Sequence, residues 1–407
     1  MTRLLDCNDA ALRLWQAGEA VWSPGMVWFS EGRYQFGEAA WRQSRRSPRE
    51  INSRYWHRLS TQPLSPALGP ARHTADLVHA HLEQVLGKEA GSITLAIPGA
   101  MESAQLSLLL GILQTLPCDT RAVVHRSALV GACAGRSCVH IELQLHQSSM
   151  TRVDVEAGVA KAGDTQILPG SGLMGLLDHI AEGIGHQFVE QTRFDPQKRA
   201  ETEQALYEAI PDLLRTLSDR GEASCSIEGH TARITADVVE TIGKTLARDL
   251  AALVPDDIEL IALDAMLATL PGLRFAQSVI EVAPQWIPSG TEGLLASGET
   301  EALTFQRRVP CANAGPAATP ASAEPAQAAT PAITHLLQNG QAIALGAAGT
   351  IADGVTLTRT ASDNQLHIAS GLDARLNGQP IAGECAAQPG DELTLGDRRI
   401  QLIHVSD

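Results

Sequence analysis

The sequence predicts an α/β region followed by a small all-β sandwich, on three observations. From residue 92 to 133, apolar residues first alternate with period two at Ile93, Leu95 and Ile97. They then recur at three- and four-residue spacing at Leu106, Leu109, Leu110 and Leu113. Residues 121–125 form a second strand pattern and residues 127–134 a helix of small residues, so the unit reads strand, helix, strand, helix. Second, residues 311–330 are almost wholly Ala, Pro, Thr and Ser without periodicity, a composition that buries too little surface to fold. Third, short alternating runs beyond it are punctuated by Asn339-Gly340, Asp353-Gly354, Asn377-Gly378 and Pro389-Gly390-Asp391, the spacing of a sandwich. The expected boundaries are an α/β domain at 1–308, a linker at 309–332 and the sandwich at 333–407.

In chain order, residues 3–6 are a short apolar strand ending at Asp6, followed by the turn Cys7-Asn8-Asp9-Ala10. Residues 27–36 read as a hairpin around Glu31-Gly32-Arg33. Arg42, Arg45, Arg46 and Arg49 form the only basic run, which suits a solvated face or a docking patch for an acidic partner. Residues 74–86 predict an amphipathic helix with Leu77, Val78, Leu82 and Val85 on one face. His79 and His81 are two residues apart and point apart, whereas a metal pair on a helix needs a spacing of four.

Residues 139–156 read as two strands around a turn at His146-Gln147-Ser148-Ser149, and residues 163–175 as a Gly-rich loop containing Gly170 and Gly172. Helices are expected at 176–189 and 200–217, then a hairpin at 226–234 and a helix capped by Thr235 that runs to 253. A buried strand at 258–263, a strand at 279–282 and a helix from 286 to 298 complete the region.

Composition narrows the function. The chain has 407 residues and a formal charge of -15, which argues against nucleic acid or an anionic membrane as partner. No apolar run is long enough for a transmembrane helix, and Asp6 and Asp9 interrupt any signal-peptide core. Seven cysteines without a CxxC pair suggest reduced thiols and a cytoplasmic location. Hydrolase elbows, Walker loops and zinc-protease helices are missing from the sequence.

The stretch Ile97-Pro98-Gly99-Ala100-Met101-Glu102-Ser103-Ala104-Gln105, followed by the strand and small-residue helix near Val123-Val124-His125-Arg126-Ser127-Ala128, resembles the actin-like ATPases, and among them the seventy-kilodalton heat-shock chaperones. The resemblance runs over roughly residues 3–300. It implies a two-lobed ATPase fold with a nucleotide in the cleft, two phosphate hairpins and a bound Mg²⁺. Asp6 matches the acid of the first hairpin, but Asn8 and its neighbours replace the glycine and hydroxyls there. Gln144 stands where the second hairpin has its acid, leaving no metal-orienting carboxylate, and Gly170 and Gly172 lie in the loop entering the second lobe. These five positions make a degenerate nucleotide site. The expectation is therefore a pseudo-ATPase scaffold with protein partners, no catalytic residue and no cofactor. The alternative is a working chaperone-like ATPase using ATP and Mg²⁺.

The segment from Leu376-Asn377-Gly378 to the closing strand resembles the end of forkhead-associated domains, which bind phosphothreonine. On that resemblance Arg359, Ser362, Asn364 and Asn377 are the candidate phosphopeptide residues, and a phosphothreonine-peptide adaptor is a further alternative.

Overall fold

Central strands of a mainly parallel sheet are apolar on both faces, because helices cover each side. Two sets of such strands are present, and each seeds a six-stranded sheet. The computed structural model describes residues 3–88, 90–296, 304–311, 333–338, 341–345, 349–352, 354–359, 364–369, 371–381, 383–396 and 398–404.

The first sheet has the order Phe305–Gln306, Cys118–His125, Gly91–Ile97, Arg3–Asp6, Arg13–Gln16, Glu19–Trp22. The second has the order Ser278–Val282, Leu260–Asp264, Cys138–Leu143, Gln147–Glu156, Val159–Pro169, Arg308–Pro310. Both follow one plan. Three strands run as an antiparallel meander, and two later strands add in parallel beside the first of them. In the first sheet the crossovers are helices Thr74–Leu86 and Ser103–Leu113; in the second they include Leu173–Thr192, Ala200–Arg220 and Asp237–Ala251.

Three apolar clusters hold this region. One packs Leu5, Ile93 and Leu95 against Leu77, Leu82 and Leu109. A second packs Ile141 and Ile261 against Leu177, Ile180, Phe188, Leu206 and Ile210. The third lies between the sheets around helix Arg126–Ala134, whose Ala128, Leu129, Val130 and Ala132 are buried. Small residues are required there. A Cβ on Gly131 would meet Val153 Cγ1 at 2.3 Å, so a larger side chain would push the helix off the second sheet. The short strands Phe305–Gln306 and Arg308–Pro310 add to the first and second sheets in turn, so one passage of chain ties both.

Several sequence expectations need correction. The turn of the second meander lies earlier, because residues 147–149 already pair in the ladder, Ser148 opposite Leu143 and Ser149 opposite Glu142. The expected loop from 163 is strand as far as Pro169, leaving only residues 170–172 before the helix. Thr235 ends a strand; helix Asp237–Ala251 starts after Ala236 without a side-chain cap. The α/β region extends past the expected boundary at 308, since Arg308–Pro310 pairs with Val159–Lys161. Most of the expected linker lies outside the described residues.

The C-terminal region is a two-sheet sandwich. One sheet has the order Gln341–Ala344, His335–Gln338, Arg398–Ile403, Glu392–Leu395, Ala374–Leu376, Gln379–Ile381. The other has Thr350–Ala352, Val355–Arg359, Asn364–Ile368, Gly383–Ala386. Leu336, Val355, Leu366, Leu393, Ile400 and Leu402 fill the space between them. Leu337 and Ile403 face outward into the first sheet's apolar cluster, and Gln114 Nε2 donates to Gln401 Oε1 at 2.8 Å, so the sandwich docks on helix Ser103–Leu113.

Candidate functional site

The parallel strands of both sheets end at one cleft, the place where open α/β sheets gather their functional side chains. Asp6 ends Arg3–Asp6, Glu142 lies one residue before the end of Cys138–Leu143, and Asp264 ends Leu260–Asp264. Arg126 opens the small-residue helix directly after strand Cys118–His125. Its guanidinium reaches all three acids. Nε donates to Asp6 at 3.0 and 3.2 Å, Nη1 donates to Asp264 Oδ1 at 3.0 Å, and Nη1 lies 3.4 Å from Glu142 Oε1. Asn8 Nδ2 donates to Glu142 Oε1 at 3.1 Å and to the Leu143 carbonyl at 3.0 Å. His140 links Ser127 Oγ at 2.9 Å to Asp264 Oδ1 at 3.4 Å.

Burial makes this cluster electrostatically strained, because three acids surround one cation. Burial pushes Glu142 up to about 8, with the pull of Arg126 only partly opposing it. Asp6 is also raised by burial, against the attraction of Arg126. Burial alone would raise Asp264 as well, but Arg126 and the hydrogen bonds from His140 and Leu143 hold it well below the usual carboxylate range. Burial works against the charge on Arg126, yet Asp264, Asp6 and Glu142 together keep it firmly protonated. Burial thus favours the protonated forms of Glu142 and Asp6, whereas Arg126 and its neighbours draw Asp264 toward the charged form.

Most backbone donors of the two turns are already used. In the first turn, Cys7 N donates to the Ala96 carbonyl, Asn8 N to Asp6 Oδ1, Ala10 N to Asn8 Oδ1 and Ala11 N to the Asn8 carbonyl. In the second turn, Leu145 N donates to Asp9 Oδ1 at 2.8 Å, and Gln144 N to the Gln147 carbonyl. Asp9 thus clamps one turn onto the other, and burial raises it to about 6. The start of helix Leu173–Thr192 is spent likewise: Leu173 N donates to the Gln144 carbonyl and Met174 N to that of Leu145. Gly172 is required by this contact, since a Cβ there would lie 2.3 Å from Gln147 N.

Beyond the charge cluster the cleft opens to about 720 Å³, lined by Arg13, Trp22, Trp41, Arg46, Met266 and Glu281 among others. Trp22 and Trp41 meet edge to face at 6.2 Å. Burial pulls the Arg13 guanidinium down, with Asp6 and Asp264 acting the other way. Arg45, part of the basic run, faces elsewhere: it pairs with Asp178 and lies 3.7 Å over the Tyr207 ring. It fastens the segment after helix Glu38–Trp41 to the helices of the second sheet, helped by Gln204, which bonds Arg45 N and the Trp41 carbonyl.

Of the five expected nucleotide positions, Asp6 and Asn8 sit in the cluster. Gln144 caps the second turn, accepting from Gln147 Nε2 at 2.9 Å. Gly170 and Gly172 line a separate cavity of about 290 Å³ with His179, Thr245 and Asp249. Two residues before Gln144, Glu142 brings a buried acid into the cluster, bonded to Asn8 and Arg126. Arg126, Glu142, His140 and Asp264 were not anticipated as site residues. Their signal was present: each is a charged or polar residue interrupting an apolar run near a strand end.

In the sandwich, Asn364 is buried and accepts from Ile333 N at 3.0 Å. Asn377 turns the chain at φ +52° and its amide bonds Asp391 and Glu392 N. Asn377 thus holds its own turn, and Asn364 ties the start of its strand to residue 333. Arg359 ends a strand, and Ser362 lies outside the described residues. The seven cysteines are all free thiols, no metal cluster occurs among the described residues, and no helix there is long and apolar enough to cross a membrane. Compared with known proteins, the chain matches no family model and no curated protein sequence.

Proposed function

We propose that the two repeated sheets are the lobes of an actin-like ATPase fold and that the protein is a pseudo-ATPase, a cytoplasmic scaffold that assembles other proteins. The shared strand plan and the cleft at the parallel strand ends support the fold. One observation carries the function: Arg126 puts a fixed positive charge at the meeting point of the acids, where nucleotide chemistry needs Mg²⁺ and phosphate. A metal cation there would have to compete with Arg126 for the same three acids, and most of the turn N–H groups are already committed within the protein. The sandwich supplies a second interaction surface joined through the Ala/Pro-rich segment. Free thiols at every cysteine fit a reducing compartment.

The test is the melting temperature with and without millimolar Mg-ATP and Mg-ADP. A ligand at a hundred times its dissociation constant contributes about 2.7 kcal/mol, a rise of several degrees. The expected result is no shift. A clear rise would overturn the pseudo-ATPase reading in favour of a working ATPase. The phosphothreonine-adaptor reading ranks below the scaffold because the amides of Asn364 and Asn377 make bonds within the sandwich itself. Binding of a phosphothreonine peptide library to the full chain, lost on dephosphorylation, would reverse that order.

A further inference from the structure

The first sheet ends in an open edge. Strand Glu19–Trp22 pairs with Arg13–Gln16 on one side and, among the described residues, with no strand on the other. All four of its residues are exposed, Val21 at 56% and Trp22 at 36%. The connecting turn, Ala17-Gly18, has φ +52° and +85°, the two-residue geometry that closes a hairpin on a hydrogen-bonded flanking pair, here Gln16 and Glu19. Alternation then aims the N–H and C=O groups of Ala20 and Trp22 away from the sheet. Such a row is a template for an added strand, and only Glu19 offers the charge that usually blunts it.

The edge leads into a cationic wall. Arg13 lies opposite Trp22, so both side chains share the face that lines the cleft, together with Arg42 and Arg46. Glu38 holds Arg42, whereas among the described residues the side chains of Arg13 and Arg46 have no ion pair or hydrogen bond. On the second-sheet elements that line the cleft stand Glu208, Glu281 and Arg215, the last paired with Asp212, so the unpaired cations Arg13 and Arg46 make the first-sheet side the one that favours a negative guest.

We propose that the Glu19–Trp22 edge takes an extended acidic segment of a partner protein as an added strand, with carboxylates on Arg13 and Arg46 and an apolar side chain over Trp22. Main-chain hydrogen bonds supply the register and the arginines choose the charge. This names a partner class for the scaffold reading and rests on it.

The experiment titrates full-length protein into a fluorescein-labelled seven-residue peptide alternating Glu and Val, and into its Lys/Val counterpart, read by anisotropy. The Glu peptide should bind at least tenfold more tightly. Ala20→Pro deletes one outward N–H at an edge, where proline is tolerated, and should weaken binding at least tenfold. Arg46→Glu, on an exposed side chain, should do the same without touching the strand. Equal affinity for the two peptides overturns the proposal, as does parental affinity in Arg46→Glu or in an Ala20→Pro protein that melts like the parent. A nucleotide-induced rise in melting temperature would remove the scaffold reading and, with it, the partner class named here. Failed peptide binding with no nucleotide response would remove this inference alone.

Discussion

Two buried polar networks in this protein solve the same problem in opposite ways. In the first α/β unit, His81 is fully buried and entirely neutral in its bonding. Trp56 Nε1 donates to His81 Nδ1 at 3.0 Å, and the Tyr55 hydroxyl lies 2.6 Å from the same nitrogen. Nδ1 therefore carries no proton, and Nε2–H donates to Ser23 Oγ at 2.7 Å. Phe36 stacks on the ring at 4.9 Å. Every ring donor and acceptor is satisfied without charge. At the cleft, Arg126 meets three acids, more than one guanidinium can neutralise. A neutral satisfied network fastens a core; a charged, unevenly balanced one at a cleft marks a place where the fold tolerates cost.

The largest expected effect separates the networks directly. Arg126→Met leaves Asp6 and Asp264 buried without a counter-ion and should cost about 3–5 kcal/mol in urea unfolding. Adding Asp6→Asn and Asp264→Asn to it should recover most of that loss. If Arg126→Met alone costs under about 1 kcal/mol, the cluster is hydrated and the contrast with His81 collapses. His81→Leu ranks next, at about 1–3 kcal/mol, because Tyr55, Trp56 and Ser23 lose their shared partner.

The networks should also respond oppositely to pH. Burial lowers His81 to about 3 from its usual 6.5, so the unfolded chain binds the extra proton. Its contribution is present above 6.5 and is lost as pH falls toward 3. Glu142 is raised to about 8, so the folded chain keeps a proton that the unfolded chain releases. That contribution is present below the usual carboxylate value and is lost as pH rises through about 8. Glu142→Gln should therefore flatten the stability profile between the usual carboxylate value and about pH 8, and leave it unchanged above and below that window. An identical slope over that window in the variant would show that Glu142 is ionised in the fold. A smaller effect is expected for Arg45→Ala, about 1 kcal/mol, since its pair with Asp178 is partly exposed and the contact with Tyr207 adds modestly.

Much of this architecture was readable residue by residue. The helix at 74–86 appears with the expected bounds, because Leu77, Val78 and Leu82 repeat at helical spacing and His73 caps it with Asp76. The hairpin around Glu31-Gly32 forms where the turn residues placed it. Boundaries slipped where two patterns overlap. Residues 163–169 carry two turn-prone residues, Gly163 and Asp164, yet continue a long strand because Gln147–Glu156 offers a partner along its whole length. The site was only half visible. Asp6 and Asn8 were expected there from the resemblance to the first hairpin of the actin-like ATPases, whereas Glu142 was passed over because the turn was set too late.

By itself, the sequence determined the α/β pattern, the separate sandwich, the apolar faces and the presence of isolated charges at strand ends, since each depends on neighbours within a few residues. Only the tertiary structure decided that Asp6, Arg126, Glu142 and Asp264, spread over 258 positions from first to last, meet around one guanidinium. It also decided which arginines are consumed and which face the cleft. The physical reason is that periodicity reports which side of an element is buried, whereas charge pairing depends on how separate elements are brought together by packing.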